Sequence, residues 1–265
     1  MVETLLPAPY MTTANFISLR KFRPGFVKKR ARHALLHKRV HAVFLGPGNQ
    51  YKVKLVFAFL LLFLMLLLGL RFALDPSLIR SDGLSYYAYL PTLIIDKDLD
   101  FTNQFQEYNP YGDAVPNCGQ KTSNGLVPNK YPIGQALLWA PFFLTAHGLV
   151  QAGQLLGLSV PAHGYSPPYH LAIGLGSLLY GWLGLLVCYR LCSRFFPTWP
   201  SVLAVIGVAL SSNLVYYLTV EPAMSHALSM FTVTAFVLTS LTIYPHRRGL
   251  PCVGLGLLAA LMIMV

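Results

Sequence analysis

The twenty residues from Leu55 to Leu74 carry a single charge, Arg71, and are otherwise almost entirely Leu, Phe, Val, Met and Ala. A helix of that length covers a hydrocarbon core of ~30 Å. A chain holding such a segment must place it in lipid or bury it completely, and the rest of the sequence offers little polar surface around it. Hydrophobic residues make up 55% of the chain and charged residues 11%, against ~25% charged in soluble domains. The expected fold class is therefore an all-α polytopic membrane protein.

Charge is distributed unevenly. The formal net charge is +11, and eleven of the twenty Lys and Arg precede residue 55, nine of them between Arg20 and Arg39. A basic block ahead of a first span marks a cytoplasmic tail against anionic lipid headgroups, rather than a nucleic-acid surface. Residues 1–50 are read as that tail, without a packed fold; a basic, acid-poor organelle-targeting leader is the competing reading. With the tail inside, the segment after Leu74 faces outward.

That segment is the polar island of the protein. Seven of the nine acids lie in it: Asp75, Asp82, Asp96, Asp98, Asp100, Glu107 and Asp113. Polar loops between membrane segments carry chemistry more often than the spans do, although a wet loop also gathers acids with no role. Within the outward loop 75–168, two interfacial helices are expected, over 82–95 and 133–158. The first holds Tyr86, Tyr87 and Tyr89, rings suited to a membrane interface. The second carries His147, Gln151 and Gln154 as a stripe on one face. It is read as returning to its own side of the membrane, because the basic ends Arg190–Arg194 and His246–Arg248 then both fall inside. Further spans are expected over 169–192, 201–220 and 223–244, with an incomplete one over 251–265 that suggests a longer parent protein.

Cysteines say little. Cys188 and Cys192 share an apolar segment, Cys252 opens another, Cys118 stands alone in the island, and no CxxC or metal-ligand spacing occurs.

The candidate chemical groups are few. Asp82 opens the first interfacial helix, with Tyr86 one turn on. Lys130, in Asn-Lys-Tyr-Pro-Ile-Gly, stands where the loop meets the second helix, and a cation there can hold a phosphate. Glu221, the sole acid after Asp113, precedes Pro222 at a junction between spans, followed by Ser225 and His226. An ionisable group at the bilayer edge is a functional candidate; a solvated Glu or Lys and a packing His are the plain alternatives.

Ser81-Asp82-Gly83, Lys130-Tyr131-Pro132-Ile133-Gly134 and Glu221-Pro222, in this order and over roughly residues 55–250, resemble the N-terminal part of GT-C-type membrane glycosyltransferases. Protein O-mannosyltransferases and bacterial lipid A aminoarabinose transferases are the nearest in pattern. The resemblance implies a GT-C-like helical bundle with a large outward first loop, in a plasma membrane such as the bacterial inner membrane. It implies transfer of a sugar from a polyprenyl-phosphate donor to a hydroxyl acceptor on the outer face. Asp82 matches the loop carboxylate that acts on the acceptor, Lys130 the residue that meets the donor phosphate, and Glu221 a second polar contact. No cofactor is implied; a divalent ion at Asp96 and Asp98 is the alternative to a simple acidic turn. Many relatives carry Asp-Glu at the first motif, where this chain has Asp82-Gly83. A transporter or lipid flippase is the rival from another class, but such proteins hold ionisable groups inside their spans.

Overall fold

The computed structural model describes residues 47–109, 112, 121–243 and 250–265. The basic block between Arg20 and Arg39, Asp113, Cys118 and the His246–Arg248 cluster lie outside the described residues. Among those residues the protein is helical, with no strand. In chain order the helices are α1 (Pro47–Leu74), α2 (Asp82–Tyr87), α3 (Tyr89–Pro91), α4 (Thr102–Gln106), α5 (Gly134–Leu155), α6 (Pro167–Cys192), α7 (Thr198–Ser211), α8 (Leu214–Thr219), α9 (His226–Ile243) and α10 (Leu250–Met264). A π-helical turn over Thr92–Asp96 continues α3.

Among the described residues three stretches are long and apolar enough to cross a membrane: Gln50–Leu74, Pro167–Cys192 and His226–Ile243. They suit a membrane protein, and their packing shows why apolar residues surround each helix. In α1, Val53, Phe57, Leu60, Leu64 and Leu68 are buried, while Phe59, Leu62 and Leu66 remain exposed. The buried set steps by three or four residues, so one stripe packs inward. The opposite face is equally apolar, which water would not favour and lipid would.

α6 is the hub, packing on α1, α5, α7, α8 and α9. Pro167 and Pro168 occupy its first turn, where a missing N–H costs nothing. Its glycines let neighbours approach closely: a Cβ on Gly184 would stand 2.7 Å from Met230 Cε and 3.1 Å from Phe231 Cα. Two indoles tie the hub down. Trp139 of α5 donates to Ser177 Oγ at 2.9 Å, and Trp182 of α6 donates to the Phe57 carbonyl at 3.1 Å.

Several sequence expectations need correction. The span expected over 201–220 is broken: α7 has 14 residues and α8 has 6. The break falls at Ser212-Asn213. Ser212 is extended, with φ −106° and ψ 172°, and its hydroxyl accepts from Leu214 N at 3.3 Å. Short polar side chains that bond nearby backbone compete with helix continuation. The span expected over 223–244 begins at His226, since residues 220–225 form turns. The 133–158 segment is one continuous helix, α5, with Pro141 inside. It falls outside the set of helices apolar and long enough to cross. Its polar stripe stays at the surface, with Gln151 and Gln154 exposed: His147 Nδ1 meets the Tyr169 hydroxyl at 2.7 Å, Gln151 meets His147 at 3.0 Å, and Gln154 donates to the Val160 carbonyl at 2.7 Å.

The helix expected over 82–95 is present as α2, α3 and the π-helical turn, but Tyr87 is not available to an interface, while Tyr86 and Tyr89 remain partly exposed. Tyr87 is fully buried. Its hydroxyl donates to the Gly164 carbonyl, and its ring packs edge-on to Phe143 and Tyr165 at 5.8 and 5.4 Å. The polar loop is thereby folded onto the helices.

At the exit of α1, Asp75 pairs with Arg71 at 3.0 Å and accepts from Ser77 N at 2.9 Å. Partial burial opposes its ionisation, yet the Ser77 bonds and the Arg71 charge together hold its carboxyl below the usual value. A depressed carboxylate contributes stability above the unfolded value of about 4 and loses it as pH falls through the folded value. Asp75→Asn is expected to lower the thermal midpoint slightly at pH 7, and the difference from wild type should shrink and vanish as the pH falls through the lowered folded-state value. A gap that persists in acid would mean shape, not charge, is at stake.

Candidate functional site

The chain enters the site through a constrained turn. His170 of α6, 9% exposed, accepts on Nδ1 from both Leu78 N and Ile79 N, each at 3.0 Å. Nδ1 must therefore be unprotonated. Two residues later Ser81 has φ 52° and ψ −137°, a region sparsely used by residues other than Gly, which costs about 1–3 kcal/mol. Leu84 N closes the turn on the Ser81 carbonyl at 3.1 Å. The strained turn presents Asp82 as the first residue of α2.

Asp82 accepts a hydrogen bond from the Tyr131 hydroxyl. Burial, and then the bond and charge of Asp82, push the Tyr131 phenol well above its usual value, so it stays protonated and donates. Tyr86 meets the same ring edge-on, with centroids 4.7 Å apart, and shares a hydrogen bond with the Ser225 side chain. Lys130 is exposed, and its Nζ sits 5.1 Å from the Tyr131 centroid. Asn129 fixes this segment against α2. It donates to the Ser85 carbonyl at 2.6 Å and accepts from Tyr131 N at 3.1 Å. Tyr89 adds a bond to the Tyr131 carbonyl at 2.6 Å.

The Glu221-Pro222 link reaches the same place from the far end of the sequence. Glu221 Oε1 pairs with Arg80 Nη2 at 3.2 Å, both side chains about one-quarter exposed (23% and 26%). Glu221 also bonds the Tyr216 hydroxyl. A Cβ on Gly83 would lie 2.6 Å from Ala223 Cβ and 3.0 Å from the Ala223 backbone, so α2 and the link touch through the absence of a side chain. Asp82, Tyr86 and Lys130 are thus gathered around Tyr131, with Glu221 beside them through Arg80. His226 stands at the edge: it is exposed and stacks on Tyr217 at 3.9 Å.

Two side chains of the candidate site escaped the sequence reading. Arg80 is the partner of Glu221, and its signal was available: a cation two residues before Asp82 in an otherwise acidic stretch. The Tyr131 hydroxyl gave no signal, since only folding brings it 49 residues back to Asp82.

The acidic turn lies apart from this group. Asp96 accepts from Asn103 at 3.0 Å and Gln104 at 2.6 Å, and Asp98 Oδ1 accepts from Asp100 N at 3.2 Å. These are the bonds of a turn, and among the described residues no three His, Cys, Asp or Glu side chains are placed to share an ion.

Compared with known proteins, the chain matches no protein-family model, no curated protein and no solved structure.

Proposed function

We propose that the protein is a membrane glycosyltransferase that moves a sugar from a polyprenyl-phosphate donor to a hydroxyl acceptor at the outer membrane face. The observation that carries this reading is one carboxylate and one ammonium on the same tyrosine: Asp82 bound to the Tyr131 hydroxyl, and Lys130 over its ring. Transfer from a lipid phosphate needs both. Asp82 takes the proton of the acceptor hydroxyl as its oxygen bonds the anomeric carbon. The bond from that carbon to the phosphate oxygen breaks, and the bonding pair leaves with the phosphate. The leaving group is already anionic, so a cation serves it better than an acid. Exposed Lys130 supplies that cation, and Arg80 keeps Glu221 paired beside the site.

Placement supports the reading over a transporter. The charged groups in the three long apolar stretches stand near their ends: Lys52, Lys54 and Arg71 in the first, Arg190 in the second. A translocation path needs such groups near mid-bilayer.

The test is transfer of labelled sugar from polyprenyl phosphate in membranes carrying the protein. Lys130→Ala should raise KM for the lipid donor severalfold and leave kcat less affected, because its cation meets the phosphate already in the ground state. Wild-type membranes that transfer no label from any polyprenyl-phosphate sugar would end the proposal.

A further inference from the structure

A second cluster, built by the loop before α6, is untouched by the transferase reading and does not depend on it. Tyr108 lies flat on Tyr165, with centroids 4.0 Å apart and planes 6° apart. His163 adjoins Tyr108 at 5.1 Å, and its Nδ1 accepts from Tyr165 N at 3.1 Å. The loop is seated on the α3 run: a Cβ on Gly164 would stand 3.0 Å from Pro91 Cβ and 3.3 Å from Ile95 Cδ1. Asp96, at the end of that run, acts by its charge on both phenols. It is held by Gln104 Nε2 at 2.6 Å.

Two polar atoms in this cluster are buried without a partner among the described residues: the Tyr165 hydroxyl and Gln104 Oε1. Buried polar groups are nearly always bonded, and an orphan asks for an explanation. Two in one cluster, beside a carboxylate and with a ring lying over Tyr165, have the form of a closed binding site. Tyr108 is only partly buried and covers Tyr165 as a ligand ring would.

The chemistry narrows the ligand. Gln104 Oε1 and Asp96 only accept hydrogen bonds, while the Tyr165 hydroxyl can do either. The ligand must therefore donate, which excludes a phosphate. It must also present a flat, weakly polar face to an aromatic ring. A plain aromatic ring would leave the acceptors unpaired. A pyranose offers C–H bonds on its face and hydroxyl donors on its rim.

We propose that Tyr165 is the floor of a carbohydrate-binding subsite, in which a pyranose ring displaces Tyr108 and its hydroxyls bond Tyr165, Gln104 and Asp96. Tyr108 is then the lid of the empty site, and the orphaned atoms are the cost of keeping the site ready.

The experiment is thermal melting and calorimetry of the purified full chain in detergent, with methyl α-D-mannopyranoside and methyl β-D-glucopyranoside as probes. At least one glycoside should raise the melting midpoint of wild type, and bind more tightly to Tyr108→Ala, where no lid need leave. Tyr165→Phe keeps the ring and removes the orphan. It should melt higher than wild type without sugar, yet bind the glycoside roughly five- to tenfold more weakly, the loss of one hydrogen bond. Asp82→Asn separates the two sites and should bind the glycoside with unchanged affinity. The proposal is overturned if neither wild type nor Tyr108→Ala binds either glycoside, or if Tyr165→Phe binds as wild type does. It also falls if Asp82→Asn abolishes binding, which would put the sugar in the other site. Stabilisation by indole or n-butylammonium in place of the glycosides overturns it as well.

Discussion

Asp82→Asn is expected to reduce sugar transfer by ~10²–10⁴-fold, the usual worth of a positioned general base, while the protein still folds and binds its lipid donor. The substitution keeps shape and leaves an amide oxygen to accept from Tyr131, so the turn at Ser81 and the packing of α2 have no reason to move. What it removes is the capacity to take a proton. The loss should therefore appear in kcat and kcat/KM alike, as for an interaction made only in the transition state. Tyr131→Phe is the informative companion. It removes the hydrogen bond but not the carboxylate, so its loss should stay within about tenfold if the tyrosine only orients Asp82. The rival site is the acidic turn. Near-normal turnover in Asp82→Asn, with turnover abolished in Asp96→Asn or Asp98→Asn in the presence of a divalent metal, would move the chemistry to that turn.

The contrast between what was legible in the sequence and what was not follows from the range of the interactions. Hydropathy is local, so the spans at α1, α6 and α9 were visible, as was the character of the loop between α1 and α6. Asp82, Lys130 and Glu221 stood out because ionisable residues are scarce in such a chain, and folding gathers them around Tyr131 and Arg80. The errors lie where tertiary contacts overrule a local pattern. Tyr87 reads as an interface anchor beside Tyr86 and Tyr89, but it is fully buried because the loop at Gly164 accepts its hydroxyl. The 201–220 run is mostly apolar, yet Ser212 in its middle accepts from Leu214 N and the helix divides there. The stripe His147, Gln151, Gln154 does lie at the surface, with both glutamines exposed, and its members also bond Tyr169, one another and Val160. Periodicity reports which residues share a face and does not say whether the protein or the solvent will meet it.

Gly83→Ala is expected to be the most damaging single-methyl change at the site, with about 1–3 kcal/mol of lost stability from overpacking and a fall in transfer out of proportion to that loss. The new Cβ would stand 2.6 Å from Ala223 Cβ and 3.0 Å from the Ala223 carbonyl carbon and oxygen. No rotamer relieves a clash made by a Cβ, and backbone cannot be swung aside as a long side chain can. Either α2 rolls, carrying Asp82 off Tyr131, or the link shifts, stretching the Arg80–Glu221 pair at 3.2 Å. Both disturb the group whose placement the proposed chemistry requires, and misplacement by an ångström can cost ~100-fold. Against Ala223 there is no space for a side chain at this position. Ala223→Gly should have a mild effect alone, and in the double variant it should recover part of both stability and transfer, since it removes the nearest of the opposing atoms. Melting midpoints and transfer rates of the two single variants and the double form a cycle whose coupling term reads the contact directly. Strict additivity, with Gly83→Ala near wild type in both measurements, would show that α2 and the Glu221 link are not held together there, and Glu221 would lose its place beside Asp82.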